Sequence, residues 1–554
     1  MVGTAKRTNW KIVIGQIACS MEFCVMSLRA NLAWQKQHKN KMINTFWNTL
    51  LCTWALFGLA ACQDAIAAKE QDTDQSPHIV ILIADDLGLA RAPCFAADSP
   101  MEFLTVQCDK AVVFERAYTH PYCTASRAAM MTARHTFRHG AGDVRSFARK
   151  LPLSEVTIPE YLKANGASQY RFSAIGKWHL ADDENGSDQN PNLQGFDHFA
   201  GTPRQHHTYK YYDYDWVEDG KLMGRETTYK TTKIANSIIS DFEQFGDKGP
   251  QFYWVGFVNP HMPFHTPPAA LHSNRDLPVD FMAKMVRHND TQGNEFKINR
   301  RDPKLDPYFV AMLEALDTEI ARIVTTLSAQ SDRPIVFMFL GDNGTSAEVY
   351  PGDRSIGYRA KAFLYDGGTR IPLMVWSTGK TNRSALIQPG RVNDLVHLVD
   401  LLPTLADLVG AKPVEAASGA ARQIDGQSFI SKLSGTPDVG SQAREFLYVE
   451  RGNAAKIPFA YGAVNQNGLK LILRDKQRYV HWPWNALIEV YDTKNDPQEA
   501  HNLFKQPCSL DTDDVRALYD FIRAKLASEP DNHTSFTEDD YGAEFADFYR
   551  TCEH

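Results

Sequence analysis

Three short apolar runs, each ending abruptly in polar residues, limit what this chain can fold into more than anything else in it. They are His78 to Ala84 before Asp85-Asp86, Phe252 to Val258 before Asn259-Pro260-His261, and Pro334 to Leu340 before Gly341-Asp342-Asn343. Runs of this length without polar alternation read as strands buried on both faces, the habit of a parallel sheet. Helical patterns lie between them. The clearest starts at Pro307 and carries Phe309, Met312, Leu316, Ile320, Ile323 and Leu327 on one stripe, with Asp306 read as its N-cap. Such alternation predicts an α/β fold, a large, mostly parallel sheet with helices on both faces. Open parallel sheets bind ligands outside the carboxyl ends of their strands, and all three polar clusters fall there. From about Pro413 the pattern changes to scattered short strands, including Phe446 to Val449 and Leu469 to Leu473, and a helix near Asp513 to Leu526. The expected organisation is a catalytic domain over 77–412 followed by a smaller α+β domain over 413–554.

With 554 residues the chain is long enough for two such domains. Its 43% apolar and 23% charged residues exclude both a disordered chain and a multi-span membrane protein. The net charge of −7 is mixed along the sequence, with no basic stripe, so nucleic acid is not an expected partner. Near the N-terminus, Thr45 to Ala61 is mostly apolar, follows Lys36, Lys39 and Lys41, and ends in Leu59-Ala60-Ala61-Cys62. This resembles a bacterial lipobox, in which the cysteine becomes the lipidated first residue of the mature chain. The alternative is an ordinary signal peptide cut after Ala65 or Ala68. Either way residues 1–61 are read as extension and signal peptide, with Met42 as the true start, and 62–76 as a linker. The run is too short for a lasting membrane span. An exported protein is expected, periplasmic or held at the outer membrane through a lipid anchor at Cys62.

Five cysteines remain beyond the lipobox: Cys94, Cys108, Cys123, Cys508 and Cys552. Pairs such as Cys508 with Cys552 suit an oxidising compartment, but the odd count leaves one thiol over, a candidate for chemistry. None of the spacings suggests a zinc site.

The sharpest motif is Cys123-Thr124-Ala125-Ser126-Arg127, followed by Ala128-Ala129-Met130-Met131-Thr132-Ala133-Arg134. It reads as the start of a helix, whose N-terminus favours an anion. Four more strings follow the same order along the chain: Asp85-Asp86-Leu87-Gly88, Gly176-Lys177-Trp178-His179-Leu180, Pro260-His261-Met262-Pro263 and Asp342-Asn343-Gly344. Lys361 stands five residues before Asp366-Gly367-Gly368-Thr369-Arg370. On extended chain Lys177 and His179 would project to one side of Trp178. Together these strings resemble the formylglycine-dependent sulfatases of the alkaline-phosphatase-like superfamily, across nearly the whole mature chain.

The resemblance implies that a maturation enzyme oxidises Cys123 to formylglycine (3-oxoalanine). One hydroxyl of its hydrate attacks sulfur and the second expels the sulfate, so water need not attack a hindered diester. Asp85, Asp86, Asp342 and Asn343, with an oxygen of the modified Cys123, would hold one Ca2+, with magnesium as a substitute. Arg127 would hold the modified side chain. Lys177, Lys361 and His261 would bind sulfate, and His179 would take the proton when the product leaves. For an exported bacterial enzyme the expected substrate is a sulfated carbohydrate or polysaccharide, an expectation from context and not from a pocket residue. A phosphonate or phosphate diester hydrolase on the same scaffold and a non-catalytic carbohydrate-binding lipoprotein are the rivals. Two departures stand out: Ala125 replaces the commoner proline, and Ala133 stands where the family usually has glycine. The aromatic stretch from His206 to Trp216 reads either as a strand or as a surface for stacking on sugar rings.

Overall fold

In the computed structural model the described residues are 76–142, 150–204, 210–277, 303–351, 359–379, 387–412, 423–434, 443–452, 458–474, 486–505, 511–528, 541, 544–545 and 548. The signal-peptide reading, Cys62, the linker before Ser76, and Cys508 and Cys552 lie outside them.

Ten strands form the main sheet: β1 (His78–Ala84), β2 (Val112–Tyr118), β3 (Arg171–Ala181), β4 (His198–Arg204), β5 (Tyr214–Glu218), β6 (Lys221–Glu226), β7 (Gln251–Gly256), β8 (Ile335–Gly341), β9 (Leu373–Thr378) and β10 (Gly390–His397). Their order is β10-β2-β9-β8-β1-β7-β3-β4-β5-β6. The centre, β8-β1-β7-β3-β4, is parallel throughout, whereas β9 and the β5–β6 hairpin run antiparallel. The three apolar runs are β1, β7 and β8, neighbours at the centre, which is why they lack polar alternation.

Side chains alternate between the faces. Ile79, Ile81, Ile83 and Trp254 pack on one side with Met130, Met131 and Leu405, so helices α1 (Cys123–Thr132) and α4 (Leu401–Val409) cover that face. Val80, Leu82, Tyr253 and Val255 pack on the other with Ile234, Ile238, Met312 and Leu316, beneath α2 (Lys230–Phe245) and α3 (Asp306–Gln330). Asp306 lies inside the first turn of α3, not at its cap. A 3-10 turn over Pro303–Leu305 runs straight into the helix and puts Leu305 in the cap position.

A second, antiparallel sheet of β11 (Phe446–Gly452), β12 (Pro458–Asn465), β13 (Leu469–Arg474) and β14 (Ile488–Asp492) carries α5 (Thr512–Ala527) on one face. Its other face shares a core with Tyr118, at the end of β2, and with Phe363, Leu364 and Tyr365 of the loop before β9. The smaller C-terminal unit is thus welded to the edge of the main sheet where that loop emerges. A disulfide joins Cys94 to Cys108, and among the described residues Cys123 is the free cysteine.

Candidate active site

The carboxyl ends of β1, β8, β7, β3 and β2 deliver the motif residues to one place. Asp85 N–H donates to Asn259 O and Asp342 N–H to Ala84 O, both at 2.9 Å, so three adjacent strand exits are stitched together. Asp86 adopts the left-handed region at φ 68°, a conformation aspartate tolerates better than most residues. Gly344 permits the close approach of the Lys361 loop: a Cβ there would meet Gly367 O at 1.9 Å.

Cys123 is the first residue of α1, whose ten residues are all buried. Its thiol donates to Asp85 Oδ1 at 3.2 Å and lies 3.7 Å from Asp86 Oδ1, while Lys361 Nζ donates to Sγ at 3.4 Å. Lys177 Nζ pairs with Asp85 Oδ2 and Lys361 Nζ with Asp86 Oδ1, each at 2.5 Å. Arg127 Nε donates to Asp342 Oδ2 at 2.9 Å and its Nη1 to Lys177 O at 2.8 Å. Arg127 therefore grips Asp342 and the β3 backbone, where the motif alone suggested a direct hold on Cys123. His261 Nε2 lies 3.6 Å from Asp86 Oδ2, and its Nδ1 lies 2.5 Å from Met262 O.

His179 reaches the site by a different route from the one expected. Its φ of 67° and a register shift between Lys177 and Ala181 break the pleat, so simple alternation does not set its direction. It is fully buried close to charge: burial, then Lys177, Lys150, Arg127 and His261 hold it well below its ordinary pKa, leaving it neutral.

The carboxylates differ. Burial would raise Asp85, but Lys177 and His261 outweigh it and hold the pKa down; Lys361 and His261 do the same for Asp86. Asp342 is raised, first by burial and then by Asp85, against Arg127. Three acids thus face three cations, Lys177, Lys361 and Arg127, and formal charge cancels before any anion arrives. The residues fit a hard divalent cation. Asn343 Oδ1 and Arg127 Nη2 are buried with no hydrogen-bond partner among the described residues, and Asn343 Nδ2 already sits 2.8 Å from Asp86 Oδ1. Such an oxygen-rich set suits a hard cation such as calcium or magnesium. The ligand-type atoms of Asp85, Asp86, Cys123 and His261 lie within 4.8 Å of one another, with Asp342 and Asn343 joined to them through Asp86.

Sequence reasoning did not reach the contacts that several residues make here. Tyr211 is buried, and its hydroxyl reaches Val258 O at 2.9 Å and His261 O at 2.6 Å, holding the His261 loop. Tyr214 and Trp216 are buried in β5, so the strand reading holds for that part of the aromatic stretch; His206, His207 and Tyr209 lie outside the described residues. Beneath α1, His120, His135 and His397 cluster, with His120 Nε2 3.2 Å from His135 Nδ1. Nδ1 of His120 and of His397 accept N–H bonds from Glu450 and Val399. Both rings therefore carry their proton on Nε2 and turn N–H groups, not lone pairs, to the cluster, which makes it a neutral packing element.

A family model described as sulfatase matches residues 77–411, more than half of the chain. An arylsulfatase of Hemicentrotus pulcherrimus is 28% identical over 60% of this chain and 58% of its own length. An N-acetylglucosamine-6-O-sulfatase of Bacteroides thetaiotaomicron is 23% identical over 82% and 87%, and human arylsulfatase A is 27% identical over 67% and 70%. The chain spans less than two thirds of the first of these relatives. A structure solved in complex with its substrate D-glucosamine-2-N,6-O-disulfate superposes with a TM-score of 0.61 at 20% identity, covering 84% of this chain and 100% of that one.

Proposed function

The chain belongs to the sulfatase family, and from that premise we propose that it hydrolyses sulfate esters of carbohydrates, with Cys123 converted to formylglycine as nucleophile and calcium as its metal. One placement carries the reading: Cys123 opens a wholly buried helix, with its sulfur between Asp85 and Lys361. As encoded, the thiol is a poor nucleophile, because burial and then Asp342 and Asp85 push its pKa well above the ordinary value. Oxidation by a maturation enzyme removes that handicap, and Sγ marks where the new oxygens would stand. The hydrated aldehyde would supply one hydroxyl to attack sulfur and a second that lets sulfate leave, while calcium would offset charge on the sulfate oxygens.

The chain's own residues do the rest. Asp85, Asp86, Asp342 and Asn343 would hold the metal. Asp342, the carboxylate least favoured as an anion, is suited to draw the proton from the attacking hydroxyl. Arg127 fixes Asp342 and ties it to the backbone of Lys177. Lys177 and Lys361 grip the sulfate, and His261 meets the leaving oxygen, where charge builds as the S–O bond breaks. His179 is assigned the proton released as the product departs. The N-acetylglucosamine-6-O-sulfatase relative and the structure solved with D-glucosamine-2-N,6-O-disulfate support a sulfated carbohydrate as substrate. Export fits the same reading, with a periplasmic or outer-membrane chain anchored at Cys62.

Co-expression with a compatible maturation enzyme tests this. The peptide containing Cys123 to Arg127 should show sulfur replaced by an aldehyde oxygen, and the modified fraction should track turnover of sulfated oligosaccharides. Undiminished hydrolysis by Cys123→Ala would overturn the mechanism. Faster cleavage of a paired aryl phosphate diester than of the aryl sulfate would favour the phosphoryl rival.

A further inference from the structure

Two lysines are assigned to the sulfate, and the chain holds them by different means. Lys177 rises from β3 inside the main sheet, whereas Lys361 belongs to the connection between β8 and β9, and its side chain is 16% exposed. A long side chain on a connecting segment keeps a fixed position only where its backbone is held, and a misplacement of about 1 Å in a reactive site costs roughly a hundredfold in rate. Strain adds to that need. The next residue, Ala362, adopts φ 77°, in the left-handed region where a Cβ crowds the following carbonyl.

Both flanks of Lys361 are gripped by one residue, Glu499, which follows β14. Two residues before Lys361, buried Arg359 donates from Nε and Nη2 to Glu499 O at 3.1 and 2.9 Å. Five residues after it, Asp366 N–H donates to Glu499 Oε2 at 2.6 Å. Lys470, on β13, stands 2.9 Å from both Asp366 Oδ1 and Glu499 Oε1, with its side chain wholly buried. The carbonyl and the carboxylate of Glu499 thus close on the two ends of the segment, and Lys470 locks the second end. Between those ends Lys361 N–H donates to Thr345 O, and Ala362 N–H to the carbonyl of Pro121, two residues before Cys123. The held segment therefore runs past the proposed nucleophile and brings Lys361 Nζ to 3.4 Å from Sγ.

We propose that Glu499, backed by Lys470, is a positioning residue for Lys361, fixing how far its ammonium reaches into the sulfate pocket. Glu499 touches no substrate itself. Apolar packing would join the two sheets at less desolvation cost; directional bonds to both ends of one segment also fix its geometry. The proposal rests on the sulfatase reading, which assigns Lys361 to the sulfate.

Inorganic sulfate is the probe. Its dissociation constant is measured by calorimetry on calcium-loaded Cys123→Ala protein, and its inhibition constant on matured enzyme, for Glu499→Ala, Glu499→Gln and Arg359→Met, each with Lys361 intact and with Lys361→Ala. With Lys361 present, Glu499→Ala should weaken sulfate at least about tenfold, and Glu499→Gln less, because its amide oxygen still accepts from Asp366 N–H. In the Lys361→Ala background the same substitution should change sulfate binding less than about twofold, since the cation it positions is gone. A merely structural residue would lower stability alike in both backgrounds without this coupling. Arg359→Met releases the other flank and carries the same comparison if Glu499→Ala fails to fold. Equal loss of sulfate affinity in both backgrounds, or no loss in either, would overturn the positioning role while normal wild-type turnover kept the hydrolase. A matured wild type that neither binds sulfate nor hydrolyses sulfated saccharides would sink the sulfatase reading and this role with it.

Discussion

At the scale of single residues, Ala133 shows how a departure in the sequence acquires a physical meaning. It closes α1 in the left-handed region, φ 58° and ψ 24°, where a Cβ crowds the following carbonyl. Its own carbonyl accepts the N–H groups of Asp425 and Gly426, which holds the strained turn in place. Ala133→Gly should therefore stabilise the protein by about 1 kcal/mol, read as a higher denaturant midpoint with an unchanged slope; no gain would mean the turn is not strained. Asn343 supplies the second test, because its orphaned Oδ1 has no role without a cation. Exhaustive chelation should abolish turnover and leave the fold intact, and Asn343→Ala should weaken calcium binding at least about tenfold by calorimetry; calcium affinity unaltered in that variant would remove Asn343 from the metal shell. The acids, lysines and histidines of the site were legible in the sequence because each follows an apolar run or sits in a compact motif. Lys150 was not, and neither was the bond from the Tyr211 hydroxyl to the His261 loop, since what these side chains touch is set by chain that lies far off in sequence.

At the scale of elements, buried strands announced themselves and edges did not. β1, β7 and β8 are apolar because both faces are covered, whereas β6 is largely exposed and carries no comparable signal. The left-handed kink at His179 defeated the alternation rule for the same reason that it serves the site: it redirects one side chain inside a strand. The junction between β11 and the turn after α1 was also invisible, and it hangs on Glu450. That carboxyl accepts from Thr136 Oγ1, Phe137 N–H and the Tyr448 hydroxyl, yet it is fully buried. Burial raises its pKa from 4.5 to about 7, against the pull of those bonds. The folded state therefore binds this proton more tightly than the unfolded chain, so the contribution is complete below about pH 4.5 and is lost as pH rises through about 7. The loss amounts to on the order of 3 kcal/mol at most. Glu450→Gln keeps the acceptor for Thr136 and Phe137 and cannot ionise. Urea unfolding of the variant should fall less steeply between pH 5 and pH 8 than that of the wild type; parallel curves would show that Glu450 ionises at no cost in the fold.

At the scale of the molecule, the one disulfide among the described residues suits the proposed export to an oxidising compartment. Cys94–Cys108 ties the connection between β1 and β2, the two strands that deliver Asp85 and Cys123, and such bonds persist where thiols are not kept reduced. That observation is independent of the apolar run ending at Cys62, and both favour export. Lipidation at Cys62 would hold the enzyme at a membrane; among the described residues no helix is long and apolar enough to cross a bilayer. Gln63 follows the cysteine in place of an aspartate that would retain the lipoprotein at the inner membrane, so the outer membrane is the expected address. Expressed in a bacterium with lipoprotein processing, the chain should partition with outer-membrane vesicles, and its N-terminal peptide should begin at an acylated Cys62. Cys62→Ala should shift it to the soluble or unprocessed fraction without changing turnover per molecule of matured enzyme, since residue 62 precedes the stretch matched by the sulfatase family model. A wild-type protein recovered soluble, with its N-terminus mapped downstream of Cys62, would replace the anchor with an ordinary cleaved signal and leave the catalytic reading untouched.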